Sequence, residues 1–277
     1  MPEATERAVF GGTLIIIGGA EDKYNERHIL RRFLEMSGGP EASILIIPVA
    51  SEFPEVAAHV YTNVFESLGA AKVQSLQPAT RSDTLAVDPA TYSDVTGVFM
   101  SGGDQLRLAT KLGGTPFAEW LRDRAEANEI ILAGSSAGAA GMSRSMIVRG
   151  KPSAYPHTES IRLSPGLGLL DDVVIDQHFT QRSRLARLIS AVSYNPANLG
   201  IGIDEDTAIV LNNGLLEVIG SGTVTVLDAL ETTFSDVAEH PPGRPFALCD
   251  LRLHILNSAL RFDMRTRRPL EYISDYQ

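Results

Sequence analysis

The chain has 277 residues, 44% of them hydrophobic, a formal net charge of −10 and one cysteine, Cys249. That length and apolar share suffice for a substantial core. The acidic balance works against nucleic-acid binding, and a lone cysteine excludes an internal disulfide framework and gives no Cys/His spacing for a metal site. Glu3, Glu6 and Arg7 precede an apolar run, 14–17, that is far too short for a signal-peptide core or a membrane span, so a soluble, cytoplasmic protein without membrane contact is expected.

Short apolar runs ending in glycine or a polar cluster recur along the chain: 13–17 before Gly18-Gly19, 43–49, 98–100 before Ser101-Gly102-Gly103, and 130–133 before Gly134. Each is strand-sized. Segments with helical spacing lie between them: 27–36, 56–68, and 105–127, where Leu106, Ala109, Leu112, Phe117 and Leu121 would form an inward stripe. This alternation predicts βαβ units and a mainly parallel sheet flanked by helices. Further along, 173–175 and 199–203 are strand-like, and Asn195-Pro196 is a local break only. Over 207–227, three apolar runs separated by Asn212-Asn213-Gly214 and Gly220-Ser221-Gly222 predict additional antiparallel strands joined by tight turns. No repeat, low-complexity segment or linker divides the chain, which reads as a single α/β domain over 1–277.

The sharpest chemical signal is the apolar run 130–133 entering Gly134-Ser135-Ser136-Ala137-Gly138. A serine at the centre of Gly-x-Ser-x-Gly, on a tight strand-to-helix turn, projects its hydroxyl past the strand end, and the N–H of the next residue, Ala137, can face a developing oxyanion. The same pattern also fits a glycine-rich turn that binds phosphate through backbone amides. Ser101-Gly102-Gly103-Asp104-Gln105 offers Gly103 as a second oxyanion donor and Gln105 as a substrate contact, or else an ordinary βα turn with Asp104 as helix cap. Gly18-Gly19-Ala20-Glu21-Asp22 lacks the spacing of either a dinucleotide site or a P-loop.

A serine nucleophile needs a base. Of the six histidines, His178 in Asp176-Gln177-His178-Phe179 follows the apolar run 173–175 and so falls at a strand's C-terminal end, the rim where open α/β sheets bind ligands. Arg182, Arg184 and Arg187 follow directly; guanidinium forks there suit a substrate with carboxylates near its scissile bond, while the plainer alternative is a solvated helix face.

Taken in order, Gly18-Gly19-Ala20-Glu21-Asp22-Lys23, the Ser101 to Gln105 loop, the Ser136 turn, Asp176-Gln177-His178-Phe179 and Gly202-Ile203-Asp204-Glu205-Asp206-Thr207 resemble the serine peptidase family that includes cyanophycinase, with aspartyl dipeptidase E more distant. The resemblance implies a class I glutamine-amidotransferase-like fold, a homodimer, no cofactor and no metal, and cyanophycin or a β-aspartyl peptide as substrate. It implies Ser136 as nucleophile, His178 as general base, and Gln105, Asp176, Gln177, Arg182, Arg184 and Arg187 as substrate contacts. One departure stands out. Where such enzymes place a glutamate after the elbow helix to orient the histidine, this chain has Ala154, so Glu159 is expected to serve, with Asp176 or Asp204 as further candidates. The alternatives are a dipeptidase acting on short aspartyl or isoaspartyl peptides, and a binding protein of the same fold with weakened catalysis.

Overall fold

The computed structural model describes residues 10–150 and 153–270. It begins with β1 (Thr13–Ile17), α1 (His28–Met36), β2 (Ser43–Ile47), α2 (Pro54–Ser67), β3 (Lys72–Ser75), α3 (Arg81–Leu85) and β4 (Gly97–Met100). Next come α4 (Gln105–Leu112), α5 (Pro116–Glu126), β5 (Ile131–Ser135), the short α6 (Ala137–Ala140), the hairpin of β6 (Ser145–Gly150) and β7 (Ile161–Pro165), and β8 (Val173–Gln177). The chain continues through α7 (Leu185–Tyr194), β9 (Leu199–Ile203), β10 (Thr207–Asn212), β11 (Leu215–Gly220) and β12 (Val224–Asp228). The short β13 (Phe234–Ser235), β14 (Leu248–Cys249), β15 (Arg252–Leu256), β16 (Arg261–Asp263) and β17 (Arg268–Pro269) complete it.

A nine-stranded sheet runs β17-β16-β11-β10-β1-β5-β4-β2-β3. From β1 to β3 the pairings are parallel, and from β10 outward they are antiparallel, so the expected mixture of parallel centre and antiparallel flank is present. Every residue of β1 and β2 is buried, as expected for near-continuous aliphatic strands covered on both faces. Side chains alternate accordingly. Ile15, Ile17, Ile44, Ile46 and Phe99 meet Phe33, Tyr61 and Phe65 from α1 and α2. Leu14, Ile16, Leu45, Val98 and Leu132 face the other way, into the larger core with Leu108, Phe117 and Leu121 of α4 and α5.

That larger core also takes Ile175, Ile201, Ile203, Val224 and Val226 from a second, four-stranded sheet, β15-β12-β9-β8. Its far face packs on α7 through Val174, Leu188, Ala191, Val192 and Leu227. The two sheets therefore share one apolar interior, and β8 and β9, which are parallel to each other, end beside the main sheet's own parallel strands.

Two sequence expectations change. The segment 105–127 is two helices: Gly114 has φ +64°, the Thr115 side chain accepts from Ala118 N at 3.2 Å, and Pro116 occupies the first turn of α5. Leu106, expected to face inward, is exposed, and Leu108 takes the buried position. The run at 224–228 does not continue the β10–β11 meander but crosses to the second sheet, between β9 and β15. Among the described residues, no helix is long and apolar enough to cross a membrane, and no His/Cys/Asp/Glu group is arranged to hold a metal.

Candidate active site

The C-terminal ends of β1, β4, β5, β8 and β9 bring their following loops to one place, the rim where open α/β sheets assemble sites. Ser136 sits there between β5 and α6 with φ 52° and ψ −106°, a conformation an L-residue adopts only when its surroundings hold it. His178, the first residue after β8, also has a positive φ, 48°. Its N–H donates to Gly18 O at 2.8 Å, which turns the side chain toward the elbow.

Ser136 Oγ lies 2.9 Å from His178 Nε2, and His178 Nδ1 lies 2.6 Å from Glu205 Oε1. An ionised Glu205 has only acceptors, so the proton of the neutral imidazole resides on Nδ1 and Nε2 is free to accept from the Ser136 hydroxyl. Burial lowers the His178 pKa below its ordinary value; the Glu205 hydrogen bond opposes this and the Arg182 charge reinforces it. The neutral imidazole is therefore the favoured form, as a general base requires. Gly19 allows the close packing: it has φ +98°, and a Cβ there would lie 2.5 Å from His178 Cε1.

Gly102 and Gly103 border the serine from the end of β4, and a Cβ on Gly102 would stand 3.3 Å from that of Ser136. Among the described residues, the N–H groups of Gly103 and Ala137 donate to no protein acceptor. Ala137 N–H is among the first of a helix, where intrahelical partners are missing. A cavity of about 440 Å³ opens over Ser136 and His178, with Arg149, Arg182, Arg184, Arg187, Gln105 and Gln177 in its wall. Asp176, fully buried, holds two of these arginines: Arg187 Nε donates to Oδ2 at 2.6 Å and its Nη2 to Oδ1, while Arg184 Nη1 reaches Oδ1 at 3.3 Å and also bonds Gln177 O. Burial, partly offset by Asp176 and reinforced by Arg187 and Arg182, lowers the Arg184 pKa to about 10, so it stays charged at neutral pH. Among the described residues, no carboxylate engages Arg149 or Arg182. In a chain of net charge −10 this is a locally cationic wall, fit for carboxylates.

The family model for peptidase family S51 matches residues 14–219. The chain belongs to peptidase family S51. It is 41% identical over 260 residues to the curated cyanophycinase of Geminocystis herdmanii, covering 93% of this chain and 96% of that one. With the cyanophycinase of a Nostoc species it shares 42% identity over 271 residues, 97% and 89% of the two chains. These likenesses make it a cyanophycinase-like serine peptidase. The fold is similar to that of a peptidase from an acI-B1 actinobacterium, with TM-score 0.65 at 21% identity, covering 91% of this chain and 96% of that one. A putative peptidase E protein from Listeria monocytogenes superposes with TM-score 0.52 at 17% identity, covering 76% and 99%.

Against these S51 features, the acid expected from sequence changes. Glu159 is exposed and sits near Gly243, while Ala154 is exposed in the β6–β7 connection. Asp204 is buried and accepts from Thr180 and Thr223. The carboxylate on His178 is Glu205, which follows β9, the parallel neighbour of β8, so the base and its partner lie on adjacent strand ends although 27 residues apart. The rim rule that singled out His178 applies equally to 204–206. Asp176 is not in the cavity wall; it organises Arg184 and Arg187 from behind. Gln105 lines the cavity and donates through Nε2 to Ile147 O at 2.6 Å, which leaves its Oε1 as a free acceptor. Arg149 was not legible in the sequence. A register shift in the β6–β7 hairpin between Ile147 and Arg149 accompanies its place in the wall, and such bulges re-aim side chains.

Proposed function

We propose that this enzyme hydrolyses cyanophycin, multi-L-arginyl-poly-L-aspartate, to β-Asp-Arg dipeptides through an acyl-enzyme on Ser136. The observation that carries the reading is the unbroken line Ser136–His178–Glu205 at the foot of a cavity walled by arginines. Ser136 Oγ attacks the backbone carbonyl while its proton passes to His178 Nε2, and the imidazolium is stabilised by Glu205. The N–H groups of Gly103 and Ala137 receive the developing oxyanion. Collapse breaks the C–N bond, and the leaving amine takes the proton from His178. Water, deprotonated by His178, then attacks the ester; as the ester C–O bond breaks, His178 returns that proton to Ser136 Oγ and the carboxylic acid product leaves.

Each repeat of the polymer carries an arginine α-carboxylate and a guanidinium. Arg182, Arg184 and Arg187 take the carboxylate, with Arg149 nearby, and Gln105 and Gln177 supply neutral acceptors for the guanidinium. Asp176 serves indirectly, by holding Arg184 and Arg187. The Glu205 contact supports a working triad over the alternative of an inactive binding protein. We further read the 277 residues as one hydrolytic domain of the class I glutamine-amidotransferase-like type, acting as a cytoplasmic homodimer.

The test is incubation of wild-type and Ser136→Ala protein with insoluble cyanophycin, following turbidity and identifying products by mass spectrometry. Release of β-Asp-Arg by the wild type, with a loss of about 10⁴-fold or more in Ser136→Ala, is expected. Preference for short Asp-X dipeptides over the polymer would overturn the substrate assignment, and equal rates for both proteins would overturn the nucleophile.

A further inference from the structure

The end of β1 and the loop after it hold Ser136, His178 and the segment that carries Glu205 through main-chain carbonyls. Ile17 O accepts from Ser136 N at 3.0 Å, Gly18 O from His178 N at 2.8 Å, and Gly19 O at 2.9 Å from the N–H of Asp206, the residue after Glu205. Two residues on, the chain turns Glu21 back beneath the elbow. Glu21 is 3% exposed, and its Oε2 accepts from Ser135 Oγ at 2.6 Å. Its Oε1 accepts from the Tyr61 hydroxyl and lies 2.9 Å from Lys23 Nζ. Burial, followed by the charge of Glu21 and its hydrogen bond, pushes the Tyr61 pKa well above the ordinary phenol value, so Tyr61 remains a donor. Both carboxylate oxygens of Glu21 are thereby committed as acceptors, and the one on Ser135 is fastened to the residue immediately before the nucleophile.

We propose that Glu21 is a positioning residue for Ser136, holding the elbow in its reactive geometry through Ser135. The inference rests on reading Ser136 as the nucleophile. The strained backbone of Ser136 persists only if its neighbours fix it on both sides. On the far side, α6 does so: Ala140 N donates to Ser136 O at 3.0 Å. On the near side, β-pairing fixes the main chain of Ser135, and the Glu21 contact adds a buried side-chain restraint on the same residue. A buried carboxylate is costly unless fully paired, and here Tyr61 and Lys23 supply the remaining partners while Ser135 alone transmits to the site. The Gly18 to Lys23 motif, which has no nucleotide-binding spacing, thus serves the reaction from beneath.

The test uses a serine-directed fluorophosphonate, which reports Ser136 reactivity without engaging the arginine wall, together with kcat and KM on cyanophycin. Ser135→Ala removes one hydroxyl, and Glu21→Gln keeps the shape while removing the charge. Both variants are compared with wild type after circular dichroism has established a native fold. Each should label roughly 10- to 100-fold more slowly, with kcat falling in step and KM unchanged, since small misplacements of a reacting atom carry such factors. The double variant Glu21→Gln/Ser135→Ala should be no slower than Ser135→Ala alone, because the two act along one path. Wild-type labelling rates in a folded Ser135→Ala protein, or additive losses in the double variant, would overturn the proposal. Absence of labelling in the wild type would instead overturn the nucleophile reading, and this inference with it.

Discussion

The triad and the arginine wall adjoin each other but are held by different means. Ser136, His178 and the Glu205 segment hang on consecutive main-chain carbonyls at the end of β1 and in the loop after it, whereas Arg184 and Arg187 take their charge pairing from a single side chain, the buried carboxylate of Asp176, with one main-chain carbonyl each, Gln177 O and Gly150 O, beside it. Main-chain anchoring survives most substitutions nearby; charge pairing that rests on one carboxylate does not. Changes at the triad should therefore appear in kcat, and changes at the wall in KM and stability.

The largest expected effect on the triad side is that of Glu205→Gln. The amide can present its N–H₂ to Nδ1 and stabilise the wrong tautomer, and in Ser-His-Asp proteases an Asp-to-Asn change at the equivalent position costs about 10⁴ in kcat. We expect a loss approaching that size in steady-state turnover with little change in KM, and no change for Glu159→Gln. The reverse pattern would return the role to Glu159. On the wall side, Asp176→Asn leaves the buried Arg187 and the partly buried Arg184 without a carboxylate, and breaking such a buried pair costs about 3–5 kcal/mol. Urea denaturation should register that loss, and KM should rise; a variant as stable as wild type would mean that the arginines are held by other contacts.

Arg182→Gln removes a cation that no carboxylate occupies, so stability should be unchanged while KM rises about 10-fold or more, the scale of one lost charge-assisted hydrogen bond. A fall in kcat instead would place Arg182 with the triad. The smallest effect is in pH dependence. Because His178 is pushed below its ordinary value of 6.5, the acid limb of kcat/KM should have its midpoint below 6.5. The same shift gives the sign for stability: unfolded His178 takes up its proton near 6.5 and the folded one only lower, so its contribution is present above 6.5 and is lost as pH falls through the folded value. In Arg182→Gln the midpoint should move upward, since the Arg182 charge is one cause of the depression.

How much of the site was legible follows from how each residue is encoded. Ser136 announces itself because its turn demands small neighbours at fixed offsets, and His178 because it terminates an apolar run. Arg182, Arg184 and Arg187 are visible as a cluster, but not which of them would be tied to Asp176. Glu205 carries no local mark that separates it from Asp204 or Asp206; only the parallel pairing of β8 with β9 puts it on the imidazole. Arg149 depends on a bulge that leaves no trace in a hydrophobic pattern.

The fold divides in the same way. Strand-sized apolar runs, helical stripes and turn residues are properties of neighbouring positions, so the sequence by itself determined the βαβ order, the parallel centre, the β10–β11 hairpin and the strand-to-helix turn at Ser136. Which sheet β12 would join, which carboxylate would meet His178, and that Glu21 would lie beneath Ser135 were decided only by the tertiary structure. These contacts span tens to more than a hundred residues of chain and are set by the packing of two sheets into one core, a quantity that no local pattern carries.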